Sequence, residues 1–266
     1  MSMRNSALTV ETAIRSIIFQ EFGDWEFIII DDGSRDDCAA LATALGDPRI
    51  RIVRHGTSRG LACRLNEAVS LARGEFIARM DADDISWPER LSVQVSILRA
   101  NPTVDLLASA ALVFRREGEV IGAFRGGYPH PTWCGRTTWF RNNRYDESMR
   151  KAEDQDLLMR TAASSRFMII DEILLGYRKE RIYFKKNFLG RVYYSRAVWR
   201  QARNSRDRRA AAEVIWHLFV QFAEDMLVIA FGGGEKLLRK KIPPLLDSTA
   251  ITRWRAIWSC VSNDSH

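Results

Sequence analysis

The sequence predicts an α/β domain built on a doubly wound, mostly parallel sheet with flanking helices, followed by a helical tail. Three observations carry this expectation. Helical and strand patterns alternate through residue 100. Two of the strands run into acidic clusters, Asp31-Asp32 and Asp81-Ala82-Asp83-Asp84, and the last third of the chain turns basic and amphipathic. With 266 residues and 46% hydrophobic content the chain can bury one substantial core and leave a smaller appendage, divided here as 1–180 and 181–266.

The first helix is read from Val10, Ala13, Ile14, Ile17 and Ile18, which share one face at the helical period. Gly23-Asp24 breaks it, and Trp25 to Ile30 is a nearly continuous apolar run, as in a parallel strand buried on both faces. A short helix over 36–45, a turn at Asp47-Pro48 and a strand over 49–53 come next. Leu61, Leu65, Ala68, Val69 and Ala72 mark another helix, closed by Gly74, and the strand from Glu75 delivers the Asp81 cluster. Ser86-Trp87-Pro88-Glu89 has the form of a capped helix start, with Ser86 as cap and Glu89 returning to it. Beyond Asn101-Pro102 the pattern loosens into a strand over 106–114, a hairpin turn at Arg116-Glu117-Gly118-Glu119 and a loop over 126–135 rich in Gly, Pro and aromatics.

Bulk properties narrow the function classes. Cys38, Cys63, Cys134 and Cys260 are scattered without a Cys-x-x-Cys pair or histidines at ligand spacing, which argues against zinc and against a disulfide framework and suits a reducing cytoplasm. The first twenty residues do not have the form of a signal peptide, and no uninterrupted apolar run reaches membrane-spanning length. Of the formal charge of +7, much lies between Arg178 and Arg209, where twelve Lys or Arg face Glu180 and Asp207. No nucleic-acid-binding motif accompanies this charge, so nucleic acid is not the expected partner. An anionic membrane surface fits it at least as well, and a solvated helix face fits it too.

The acidic clusters carry the chemistry. Carboxylates at i and i+2 on extended chain point the same way, so Asp81 and Asp83 can share one hard cation, and two acidic strand tips in one α/β unit suggest a nucleotide with its metal.

Taken in order, the segments resemble the nucleotide-sugar-dependent glycosyltransferases of family 2, which have the GT-A fold. The matching pieces are Ser16-Ile17-Ile18-Phe19-Gln20, Asp31-Asp32-Gly33-Ser34, Arg59-Gly60-Leu61-Ala62 with Leu65-Asn66, and Ala72-Arg73-Gly74-Glu75-Phe76-Ile77-Ala78. Met80-Asp81-Ala82-Asp83-Asp84, Trp87-Pro88-Glu89-Arg90-Leu91, Tyr145-Asp146-Glu147, Glu153-Asp154 and Leu174-Leu175-Gly176-Tyr177-Arg178 continue the match.

The resemblance implies a role for each position. Asp32 would accept a hydrogen bond from the donor's base, with Asp31 beside it, and Asp81 would lie near the ribose and the metal. Asp83 would ligate Mn²⁺ or Mg²⁺ bridging the diphosphate. Asp154 would be the general base that activates an acceptor hydroxyl for inverting attack, with Glu153 and Asp84 in support. Arg59 would meet the donor's phosphates or base. Asp31 and Asp32 can instead be strand-end carboxylates that cap the following helix, Glu153 and Asp154 first-turn acids at a helix dipole, and His130 a structural histidine.

The implied activity is transfer of a single sugar from a nucleoside diphosphate sugar to a saccharide or lipid-linked saccharide in surface polysaccharide assembly. A non-catalytic relic that binds nucleotide or a partner is the alternative. Two departures from the family pattern stand out. The Gln-x-x-Arg-Trp motif of processive synthases is absent, since Ala250 stands where glutamine would be needed before Arg253-Trp254. The family's opening apolar strand is represented by its end alone, Met1 to Asn5, which look too few and too polar to replace it. The expectation is therefore a gap or irregular substitute in the sheet, and a natural start some residues upstream or a poorly folded form. In the tail, Glu213, His217, Gln221 and Glu224 recur as a polar stripe that excludes a spanning helix. Interfacial membrane binding, peripheral on the inner face of the cell membrane, and packing on protein remain level readings of the tail helices.

Overall fold

The computed structural model describes residues 1–180, 184–205, 208–230, 242–245 and 247–262. Its first layer is a parallel sheet of β1 (Ser2–Met3), β2 (Phe27–Asp31) and β3 (Ile50–Arg54), in that order. Every residue of β2 is buried, which is why the run is apolar without alternation. Helix α1 (Val10–Ile18) presses Val10, Ala13 and Ile14 onto Ile29, and α2 (Cys38–Ala44) packs Ala39 and Ala42 into the same core. From the other side α3 (Leu61–Leu71) brings Leu65 and Val69 against Trp139 and Phe140.

The second layer is a mixed sheet in the order β4 (Phe76–Ala78), β8 (Cys134–Arg136), β6 (Leu106–Phe114), β9 (Phe167–Arg178), β5 (Ile85–Ser86). Strand β7 (Val120–Phe124) adds to β6 as a hairpin. Of these pairings only β6 with β9 is parallel. The doubly wound, parallel expectation therefore describes the first half of the molecule, and the sheet departs from it beyond β4. The expected loop over 126–135 contains the start of β8, whose Cys134 and Gly135 are buried. Helices α4 (Arg90–Ala100), α5 (Thr137–Asn142) and α6 (Glu153–Thr161) flank this layer.

Ser86 does not cap a helix. It lies in β5, and its hydroxyl accepts from Gln20 Nε2 at 3.1 Å, while Gln20 Oε1 accepts the Leu91 N–H at 3.0 Å. The buried Gln20 side chain thus serves the orphan donor at the start of α4 that a capping box would have served.

The chain's start differs from expectation in an instructive way. Met1 and Met3 are buried, Ser2–Met3 pair in parallel with Ile30 and Asp31, and Ser2 also bridges to Asp81. The position between β2 and the Asp81 segment is therefore filled at its acidic end. Behind that end the expected gap is present: a cavity of about 680 Å³ is lined by Phe27-Ile28 and Phe76-Ile77-Ala78, with Met1 also on its wall.

In the tail, α7 (Phe184–Ser205) and α8 (Arg208–Ala230) pack on each other through Phe188 and Phe222, with ring centroids 5.3 Å apart, and through an Arg191–Asp225 ion pair at 3.0 Å. Helix α9 (Ser248–Ser262) lies on the second sheet. Its Trp254 is fully buried, packs tilted against Phe114 with ring centroids 4.6 Å apart, and donates to the Gly118 carbonyl at 2.7 Å. Gly176 in β9 leaves room for this ring, since a Cβ there would come within 2.4 Å of it. For α9 the packing reading holds. No described helix is long and apolar enough to cross a membrane.

Candidate active site

The tip of β2 shapes one wall of the site. Asp31 is buried and accepts the backbone N–H of Ser34 at 2.9 Å, so it closes the turn after the strand. Asp32 is buried and engages both oxygens: Oδ1 accepts from the Arg59 N–H and Arg64 Nε, each at 2.7 Å, and Oδ2 from Ser58 Oγ at 2.6 Å and the Gly60 N–H at 3.0 Å. Burial opposes its charge, yet the donors at Ser58, Arg59, Arg64 and Gly60 hold the carboxyl below its ordinary value. Asp32 therefore fastens the 57–60 loop to the strand end. Gly33, at φ +72°, permits the close approach, because a Cβ would lie 2.9 Å from the Thr57 carbonyl carbon. The Arg59 side chain is exposed and reaches Glu147 at 3.5 Å.

The segment between β4 and β5 forms the opposite wall. Asp81, Asp83 and Asp84 each place a carboxylate oxygen within 4.8 Å of the others, with Asp81 half-buried, Asp83 exposed and Asp84 buried. Arg178 ties the segment down, its N–H donating to Asp84 Oδ1 and its Nε to the Asp83 carbonyl, both at 2.9 Å. Asp84 Oδ2 is buried and meets no hydrogen-bond donor among the described residues. Burial, then Asp83 and Asp81, push the Asp84 carboxyl well above its usual range. A cluster of hard oxygens with an orphaned, destabilised carboxylate suits a small divalent cation.

Two buried arginines stand behind these acids, and neither is singled out by the sequence as functional. Arg90 of α4 donates from Nη2 to the carbonyls of Arg79 and Pro131 at 2.7 and 2.9 Å and so clamps the backbone that leads to Asp81. Arg79 is buried with Nη1 2.5 Å from Asp81 Oδ2. In the β2 wall Arg64 is likewise buried on Asp32. An arginine in a sequence reads as surface by default, and only the acids around it could have hinted otherwise.

The third side is the start of α6. Ala152 takes a left-handed conformation, φ 58° and ψ 26°, and the helix then opens with buried Glu153 and half-buried Asp154. Burial raises both carboxyls above their ordinary values, Asp154 adding to the shift at Glu153. The Asp154 charge is close enough to feel both Asp81 and Arg79. His130 is buried, 2.8 Å from the Tyr145 hydroxyl, and held neutral by burial and by Arg79, so it braces the floor.

Strand ends thus bring Asp32, Asp81, Asp83 and Asp84 to one rim and the start of α6 brings Glu153 and Asp154 beside it, within the GT-A architecture. The family model of glycosyl transferase family 2 matches residues 1–174, and the chain belongs to that family. It is 30% identical over 203 residues to the glycosyltransferase EpsE of Bacillus subtilis, covering 70% of each chain. It is 30% identical over 165 residues to the colanic acid biosynthesis glycosyl transferase WcaA of Escherichia coli, covering 56% of this chain and 59% of that one. Among solved structures, the mannosyltransferase PcManGT of Pyrobaculum calidifontis, in complex with GDP-Man and Mn²⁺, superposes with a TM-score of 0.63 at 16% identity over 98% of this chain and 84% of its own. Residues 1–349 of S. aureus TarS, in complex with UDP-GlcNAc, give 0.58 at 18% identity over 74% and 65%.

Proposed function

We propose that the protein transfers one sugar from a nucleoside diphosphate sugar to a hydroxyl of a saccharide or lipid-linked saccharide, with inversion, in cell-surface polysaccharide assembly. The observation that carries this is the convergence of Asp81, Asp83 and Asp84 within 4.8 Å at a rim shared with the Asp32 loop. The names of the relatives support the pathway: besides WcaA, the chain is 32% identical over 124 residues to the Escherichia coli glucosyltransferase WfgD, which is named for a diphosphoundecaprenol-linked acceptor.

Asp83 and Asp81 would hold Mn²⁺ or Mg²⁺, with Asp84 oriented behind them by the Arg178 N–H. Bound there, the cation would offset the charge that builds on the diphosphate as the sugar departs. The Asp32 loop would receive the nucleotide. Because four donors already occupy Asp32, its contribution is to present the Ser58 to Gly60 backbone, with Asp31 closing the turn beneath and Arg59 projecting outward toward the phosphates. Asp154 would accept the proton of the acceptor hydroxyl as that oxygen attacks the anomeric carbon. Its raised pKa matches the requirement of a base that keeps appreciable proton affinity.

The tail would hold the enzyme at an anionic membrane surface. Trp216 and Leu227 on α8 are 69% and 62% exposed, and with the basic run of α7 they give the combination of apolar area and positive charge that interfacial binding needs.

The decisive experiment is a panel of nucleoside diphosphate sugars assayed for slow hydrolysis against Mn²⁺ concentration. One donor should respond to the metal, and Asp83→Ala should abolish the response while leaving the thermal transition in place, because an exposed strand-end carboxylate contributes little to the core. An unchanged metal response in Asp83→Ala would remove the assignment.

A further inference from the structure

We infer that Arg79 is a positioning residue that holds Asp81 from inside the protein and, as a fixed positive charge, lowers the affinity of the Asp81-Asp83-Asp84 cluster for a divalent cation. The inference rests on the reading that Asp81 and Asp83 take a metal.

The geometry is specific to this side chain. Arg79 follows β4 directly, and its backbone cannot shift: its N–H donates to the Trp133 carbonyl at 2.8 Å and its carbonyl accepts from Arg90 Nη2 at 2.7 Å. The guanidinium leaves this fixed point buried and meets Asp81 Oδ2 at 2.5 Å through Nη1. Nε and Nη1 are both buried and have no aligned hydrogen-bond acceptor among the described residues. The group therefore faces Asp81 as a charge whose donors are incompletely used, an arrangement expensive to bury unless the surrounding site requires the charge.

The charges on its other sides are those of the site itself. Asp84, Glu153 and Asp154 all feel Arg79, as does the buried Met1 ammonium. Arg79 thus contacts Asp81 within the field of Asp84, Glu153 and Asp154, with the Arg90 charge also near, and competes with any external cation for Asp81. Without it the cluster would present its full negative charge to the metal. With it, Asp81 is shared, and a metal would be held firmly only together with a diphosphate, which would add its own negative charge. The consequence is that free metal binds weakly and metal with nucleotide binds well.

A residue with a purely structural role predicts the opposite outcome on removal, since a loosened cluster binds metal less tightly. Titration of the full chain with Mn²⁺ alone, followed by calorimetry, separates the two. Arg79→Gln and Arg79→Met are each expected to bind Mn²⁺ at least about tenfold more tightly than wild type, a change of about 1.4 kcal/mol. Arg79→Lys, which keeps the charge, should stay within a few-fold of wild type. Two neutral variants are used because either can be limited by folding, which far-UV circular dichroism checks. A folded neutral variant that binds Mn²⁺ no more tightly than wild type overturns the inference and leaves the metal site standing. Absence of Mn²⁺ binding in wild type and in the folded neutral variants overturns both. Failure of both neutral variants to fold while Arg79→Lys folds would make Arg79 a structural cation and also overturn it.

Discussion

Asp154 owes its properties to where the chain places it. The left-handed Ala152 turns the backbone so that α6 begins with Glu153 and Asp154 at its positive end, a strained conformation for a non-glycine residue and of the kind that collects at functional sites. Burial raises the carboxyl, while the Gln155 N–H and Arg79 restrain the shift, which gives the group more proton affinity than an ordinary aspartate. Asp154→Asn is expected to slow transfer to acceptor by about 10²- to 10⁴-fold with donor affinity nearly unchanged, measured as kcat and KM with a soluble acceptor. A wild-type rate in that variant would reduce Asp154 to a helix-start acid. At this scale the acids were legible in the sequence and their partners were not. Asp81, Asp83 and Asp154 announce themselves by falling at strand and helix ends. The burial of Arg64, Arg79 and Arg90 depends on segments far along the chain, such as Tyr145 for Arg79 and Trp133 for Arg90, which no local pattern encodes. The sequence also left Asp32 free to meet a base, whereas in the fold its oxygens are engaged by the 57–60 loop.

Among the elements, those with strong periodicity or continuous apolar runs, α1, β2, α3 and β6, lie where the residues indicate, because burial of a whole face decides them. The two- and three-residue strands β1, β5 and β8 have no such signal; they form because a neighbouring strand offers an edge, which is a property of tertiary structure. β1 makes the point most clearly. Ser2 pairs with Ile30 on one side and bridges to Asp81 on the other, so the slot between the two segments is one strand wide. The cavity continues this slot past Phe27-Ile28 and Ala78, and its walls carry Leu65, Val69, Leu91 and Val95. The Met1 ammonium donates to the Ile28 carbonyl at 2.8 Å, and burial, with Arg79, pulls its pKa down to about 5. A designed extension of about four apolar residues ahead of Met1 should continue β1 along the slot, replace the buried amine by an amide, and raise the melting temperature by several degrees, as about 1 kcal/mol or more of added stability would. An unchanged or lower melting temperature would show that the cavity does not accept a strand.

At the scale of the whole molecule the question is how the tail is held. Helix α9 is fixed by Trp254, and the exposed face of α8 is left for a surface, so sedimentation with anionic vesicles should weaken with salt and fall several-fold in the Trp216→Ser, Leu227→Ser double variant. Equal sedimentation of variant and wild type would leave that face to a protein partner. Helix α7 is fixed by charge. Arg200 Nη1 lies 2.6 Å from Asp146 Oδ2 and 3.4 Å from Asp156 Oδ1, joining the tail to the Tyr145-Asp146-Glu147 segment and to α6, which carries Asp154. Burial opposes the Asp146 charge, but the hydrogen bonds from Arg200 and Ser148 outweigh it and draw the pKa from 3.8 down to about 2. A carboxylate whose folded pKa is depressed contributes stability that is fully present above its unfolded value and is lost as pH falls through the folded value. The Asp146–Arg200 contribution should therefore be intact above about pH 4 and vanish toward pH 2, releasing α7 from α6. Arg200→Met isolates this contribution from the other carboxylates that titrate in the same range. The difference in melting temperature between wild type and Arg200→Met should be constant from pH 7 to about pH 4 and close toward zero near pH 2, where Asp146 is half-protonated or more even in the folded protein. A difference that persists unchanged to pH 2 would mean that Arg200 holds the tail by packing of its alkyl stem, and that charge does not couple the tail to the helix bearing the candidate base.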